Sequence, residues 1–202
     1  SLFCKFEPLT HEQIEFSNKK NISLPVRFHD YELISESFPI CAYELHLSFE
    51  ETLSRMNVNK LDFRKKYSIH LPDYINTNDL IDPFSKIEDK KQLSFEIIHK
   101  VADLAKELQD KTGKKVPIVG SFSIVGESKI KFYERLSELI QKFYINEVYI
   151  FPQWLPPVAW YFGGSVSLNS FCSEEDVSYI DDLQIPICMD FCHLFMGASY
   201  FV

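Results

Sequence analysis

The chain has 202 residues, of which 46% are apolar, 25% charged and 15% aromatic, the make-up of an ordinary soluble globular protein. Roughly 70% of the unfolded surface can be hidden at this size, so a core stands without disulfides, and 6 glycines and 10 prolines are too few for collagen or a disordered linker. The net charge of −8 argues against nucleic acid as a partner, because proteins that bind the phosphate backbone usually carry a basic stripe.

Five cysteines stand at Cys4, Cys41, Cys172, Cys188 and Cys192. Their number is odd and no CxxC pair occurs, which reads as reduced thiols in a cytoplasmic protein. Cys4, Cys41 and Cys188 lie in apolar runs and are expected in the core. No run of 18 apolar residues is present, so no membrane span is expected. The start lacks an initiator Met and a leader pattern, and the end is apolar. Both read as cuts in a longer polypeptide. A single domain over 1–202 is expected, with 1–22 as an appendage or a linker from a preceding module.

In chain order, a short apolar run over 2–7 precedes Thr10, which caps a helix with Gln13 as its capping-box partner. That helix runs to about Asn21. Residues 24–30 (LPVRFHD) predict a strand and 31–38 a short helix. Residues 42–48 (AYELHLS) alternate strictly, as a strand does, and 49–56 predict a short helix. Residues 67–73 (YSIHLPD) predict a strand ended by Pro72, and 74–89 a polar loop. Residues 90–111 form a helix with Leu93, Ile97, Val101, Leu104 and Leu108 on one face, ended by Gly113. A strand over 116–124, a helix over 127–143 and a strand over 147–154 follow. Residues 156–169 read as a loop. Ser173 caps a helix to about Leu183, 185–190 (IPICMD) predict a strand, and another helix starts just beyond.

Strands alternating with helices predict a parallel sheet, and the expected fold is a (β/α)8 TIM barrel, incomplete at the C-terminus of this chain. No glycine-rich phosphate loop follows any strand. In such a barrel the carboxyl ends of the strands gather on one face and carry the active site. His29 and Asp30, Glu44 and His46, His70 and Asp73, Gln153, and Asp190 with His193 all lie at or just beyond strand ends, so four of the 6 histidines are in this class. Imidazoles and carboxylates at one mouth are what a Zn or Mn ion requires. Glu44 and His46 are two apart and share a face. The plainer readings are a structural ion pair of Glu44 with Arg27, a loop-entry role for His29 and a hydrogen-bonded core role for His46. His11 and His99 read as surface or packing residues.

The run IPICMDFCHLFMGASYF resembles the D-x-x-H strand of the xylose isomerase-like superfamily, which includes sugar phosphate isomerases and epimerases and endonuclease IV. YSIHLPDYIN resembles its earlier histidine strand, and EVYIFPQW stands where a strand ends in a metal-bridging Glu. The resemblance implies His70, Asp190 and His193 as metal ligands, with Gln153 in the place of the bridging Glu. VGSFSIVG stands where endonuclease IV has a further ligand His, and puts Ser121, Phe122 and Ser123 there. Residues 5–52 also resemble the barrel of large sialic acid synthase-like proteins, which implies covalent fusion to a synthase module and a place in surface-sugar biosynthesis.

These readings imply a metal-dependent isomerase or epimerase acting on a sugar or sugar phosphate by proton transfer through an enediolate. Glu44 is the expected base, and His46 or His29 the proton shuttle. Arg27, Asp30, Trp154 and Trp160 are the expected substrate contacts. The alternatives are a sugar-binding or scaffold barrel without catalysis and an endonuclease IV-like phosphodiesterase.

Overall fold

The computed structural model describes residues 9–123 and 128–200. The run over 2–7, Cys4, and the ends of the predicted 116–124 strand and 127–143 helix that fall in 124–127 lie outside the described residues. Among those described, five parallel strands stand in the order of the chain: β1 (Leu24–Val26), β2 (Ala42–His46), β3 (Lys66–His70), β4 (Ile118–Gly120) and β5 (Ile150–Pro152). Each pairs with the strand before it. This is the sequential winding of a TIM-like α/β fold, in which each crossover returns the chain to the same end of the sheet.

Helices α1 (His11–Lys20), α2 (Tyr31–Ser37), α3 (Phe49–Thr52), α4 (Glu88–Thr112), α5 (Lys129–Tyr144), α6 (Glu174–Asp182) and α7 (Phe191–Tyr200) make up the helical part. The apolar stripe of α4 is buried as its spacing predicts, through Ile97, Val101, Leu104 and Leu108, and Gly113 closes the helix at φ 66°. On β2 the alternation appears directly as burial. Tyr43, Leu45 and Leu47 are at most 1% exposed, while Glu44 and His46 between them are partly open. Each of those apolar side chains contributes about 1.5–3 kcal/mol to holding the strand.

Four expectations are corrected. The 24–30 strand stops at Val26, and Phe28–Asp30 turn as a 3-10 helix. Glu51 drives the bend by accepting hydrogen bonds from the His29 backbone N–H at 3.2 Å and from its Nδ1 at 2.8 Å. The 185–190 strand shrinks to one parallel bridge, Gln153 with Cys188. There Trp154 N donates to Cys188 O and Cys188 N to Pro152 O. The 156–169 loop contains an antiparallel hairpin, β6 (Val158–Tyr161) and β7 (Gly164–Ser167). Phe162 at φ 54° and Gly163 at φ 75° form its turn, whose left-handed pair of residues matches the twist of a tight hairpin. Cys41 and Cys188 are half-buried rather than core residues, because each stands at a margin of the sheet.

Candidate active site

The ends of the parallel strands bring together Glu44, His46, His70, Gln153, Asp190 and His193. The register of β2 and β3 sets His46 opposite His70, and their rings stack with centroids 4.3 Å apart and planes 3° from parallel. Glu44 Oε1 lies 3.7 Å from His46 Nδ1. His46 holds the Glu44 carboxyl below its ordinary range, helped by the charge of His70 and opposed by burial and by Asp190. The Cys188 thiol is pushed up by burial and by the charges of Glu44 and Asp190. Glu44 of β2 and the 188–190 segment are therefore close enough to influence one another's ionisation.

Gln153, 9% exposed, spans the middle of the cluster. Its Nε2 donates to Asp190 Oδ2 at 2.6 Å, and its Oε1 faces His70 Nε2 at 2.9 Å. Asp190 as a carboxylate only accepts, which fixes the sense of the amide. His70 Nδ1 donates to Leu71 O at 2.8 Å, so both ring nitrogens of this buried histidine face acceptors. Asp190 Oδ1 accepts from the His193 backbone N–H at 3.0 Å, capping the first turn of α7, and His193 Nδ1 donates to Trp154 O at 2.9 Å. Sequence patterns could not show the carbonyls of Leu71 and Trp154 as partners, because main-chain acceptors leave no residue-type signal.

The other expected site residues lie apart from this cluster or act differently. His29 is two-thirds exposed and is held by Glu51, with Asp30 at 3.4 Å from its Nε2. That is the geometry of a loop-entry residue, not of a proton shuttle in the cluster. Arg27 forms no ion pair with Glu44 among the described residues. Its Nη1 donates to His46 O at 2.8 Å, so it ties the end of β1 to β2. Trp154 is 7% exposed and lines a groove beside α6 and α7, and its carbonyl holds His193. Trp160 is 70% exposed on the hairpin, where Tyr74 braces the neighbouring Tyr161 and Phe162 edge-on at 5.7 and 5.1 Å.

A Zn or Mn ion is implied by the resemblance. As placed, the residues do not fit one: among the described residues no group of three or more His, Cys, Asp and Glu side chains could hold a metal ion. The reason is visible in Gln153, whose amide occupies both His70 Nε2 and Asp190 Oδ2. Among the described residues no helix is long and apolar enough to cross a membrane.

No family model matches the chain, and no curated protein matches it. Among solved structures it is similar to one titled "Crystal Structure of SacUVDE", with a TM-score of 0.48 and 16% identity over 95% of this chain and 64% of that one. The chain therefore spans less than two thirds of the length of that relative.

Proposed function

We propose that the cluster at the strand ends is a proton-transfer site for a small polyhydroxylated molecule, a sugar or sugar phosphate, and that the chain acts as an isomerase or epimerase. The observation that carries this reading is Glu44, a partly buried carboxylate held ionised beside two stacked imidazoles. An ionised carboxylate next to a proton-carrying ring is the pairing that general acid–base chemistry uses. Glu44 takes the proton from a carbon next to the carbonyl. His46 gives a proton to the carbonyl oxygen, and the electron pair of the C–H bond becomes the C=C of an enediol. His70, whose ring stacks on that of His46 at 4.3 Å between centroids, holds that ring in place. Delivery of the proton from Glu44 to the neighbouring carbon, while His46 takes the hydroxyl proton of the first carbon so that its oxygen becomes the new carbonyl, completes isomerisation; for epimerisation the enediol turns its other face to Glu44, the proton returns to the first carbon and His46 recovers its proton from the oxygen.

Metal dependence is the second reading. It is favoured by the backbone carbonyls that hold Nδ1 of both His70 and His193, an arrangement that leaves Nε2 as the coordinating atom of a histidine ligand. Zn or Mn would then need Gln153 to release His70 and Asp190. Incubation in D2O with a panel of aldoses, ketoses and their phosphates tests both readings by NMR. Deuterium enters a carbon-bound position with the native chain and not with Glu44→Gln. If the metal-stripped chain retains the exchange, the metal reading falls. Absence of exchange for every sugar, with and without Zn or Mn, overturns the catalytic reading.

A further inference from the structure

The opposite end of the sheet carries a charge pattern that the proton-transfer cluster does not use. Lys66 opens β3, Ser23 stands just before β1, and Lys114, Lys115 and Pro117 lead into β4. Because the strands are parallel and follow chain order, these amino ends gather at one margin. Ser23, Lys66, Ser68, Lys114, Lys115 and Pro117 line one open cavity there, of about 350 Å³. Along β3 the period of two puts Lys66, Ser68 and His70 on one face. At roughly 3.3 Å per residue Lys66 and His70 stand about 13 Å apart, so the cavity is a separate site from the cluster around His70.

The chain holds 29 acidic residues against 21 Lys and Arg, yet the Lys and Arg ion pairs of the described residues all involve side chains other than these three lysines. Their partners are neutral instead. Lys66 Nζ donates to Asn21 Oδ1 at 2.6 Å. Lys114 Nζ donates to the main-chain carbonyls of Arg64 and Lys65. Lys115 Nζ stands over the Tyr149 ring, 4.6 Å from its centroid. Asp62, the acid nearest to Lys66 in sequence, is taken up by Arg64 at 2.8 Å. Neutral acceptors hold the amines in place without cancelling their charge. An ammonium has three donors, so each lysine keeps at least one to offer. Like charges around one cavity repel one another, and an anion among them relieves that repulsion.

The chemistry of the lining selects the guest. Three ammonium groups and the hydroxyls of Ser23 and Ser68 suit a guest rich in acceptor oxygens that carries two or more negative charges, as phosphate groups do. A single carboxylate would leave most of the positive charge uncompensated, and a cation would be repelled. The volume lies within the range of small-molecule sites, and Pro117 gives the cavity an apolar wall.

We propose that the cavity at the amino ends of the strands binds a small molecule with a diphosphate or larger phosphate group, either free or carried on a nucleoside. Lys66, Lys114 and Lys115 compensate its charge, and Ser23 and Ser68 complete its hydrogen bonds.

Isothermal titration calorimetry of the whole chain at about 0.15 M salt, where diffuse charge is screened, tests this with pyrophosphate, ADP and adenosine as probes. Saturable binding of one pyrophosphate per chain is expected. Lys66→Gln and Lys115→Gln each weaken it about tenfold or more, as the loss of a charge-assisted hydrogen bond does, while Lys66→Arg retains it. Lys106→Gln, which removes the same charge from the exposed side of α4, leaves binding unchanged. Melting temperatures equal to that of the native chain show that the variants fold. ADP that binds more tightly than pyrophosphate marks a nucleoside carrier, and ADP that binds equally or less tightly marks free diphosphate as the guest. Heat that does not saturate, or a loss in Lys106→Gln as large as in Lys66→Gln, shows diffuse surface charge only and overturns the site. Binding that survives both Lys66→Gln and Lys115→Gln overturns it as well, as does adenosine binding as tightly as ADP.

Discussion

A partly buried carboxylate on one face of a parallel sheet stays there only when partners hold it, and for Glu44 the partners are imidazoles rather than an arginine. This distinction separates a base from a structural ion pair, since an arginine would clamp the carboxylate whereas a histidine can pass on a proton. Glu44→Gln therefore lowers the rate of proton exchange by about 10²–10⁴-fold, while chemical denaturation shows little change, because the Glu44 side chain is a quarter exposed. The pH dependence follows in sign. The carboxyl is held below its ordinary range, chiefly by His46. The native chain thus keeps its base ionised down to pH values below that range, and the acid limb of its rate profile lies lower than that of a free glutamate. His46→Phe removes the principal cause and moves that limb upward; an unmoved limb would show that another group is the base. The pairing was legible from AYELHLS because a period of two puts Glu44 and His46 on one side. The separation of His29 was not, since its capture by Glu51 joins residues 22 apart.

At the scale of elements, local chemistry and tertiary packing divide the work. Helix α6 begins at Ser173, and Asp176 gathers the orphan ends: Cys172 N at 3.0 Å, Ser173 N at 2.9 Å, and Lys129 of α5 at 3.0 Å. Burial pushes the Asp176 carboxyl up, but these hydrogen bonds and the lysine outweigh it, and the group is held below its ordinary value. A depressed folded-state pKa gives stability that is present above the unfolded value and lost as the pH falls through the folded one. Asp176→Ala accordingly costs about 1–3 kcal/mol near neutrality, through the buried N–H groups it leaves unpaired, and urea denaturation at falling pH shows the gap between variant and native chain narrowing below about pH 4. The capping residues were readable in the sequence because they obey a fixed spacing. The β6–β7 hairpin was not, because Phe162-Gly163 lacks the Asn-Gly signature of its turn. Its left-handed backbone makes a paired test: Gly163→Ala, at φ 75°, costs about 1 kcal/mol, whereas Gly164→Ala, at an ordinary φ with open space around it, stays within about 0.5 kcal/mol.

For the molecule as a whole, the order of strands and helices could be read because buried strands and helix faces repeat with periods that side-chain polarity reveals. The extent of the last strand could not, because backbone pairing on its second side is a property of neighbours and not of IPICMD itself. Helix α7 shows the same dependence. Its sequence, FCHLFMGASY, is apolar on nearly every side, as a fully packed helix would be, yet Phe191 is 66% and Met196 53% exposed. A groove of about 1040 Å³ runs between α6 and α7, with Trp154, Ile187 and Leu194 among its walls. Exposed apolar surface of this kind drives association. Sedimentation of the chain is therefore expected to show a concentration-dependent shift to heavier species. Phe191→Glu with Met196→Lys should weaken that association about tenfold or more, since about 2 kcal/mol or more of apolar burial is lost per contact. The folded stability should stay within about 0.5 kcal/mol, because both positions are already open to solvent. Sedimentation that is the same in the variant would place the association elsewhere, and a large loss of stability would show that these side chains pack against the chain itself. Asp190 and His193 lie at the start of the same helix, so deuterium exchange in the variant adds a control: if Glu44 and His46 carry the proton, the rate is unchanged even as the association is lost.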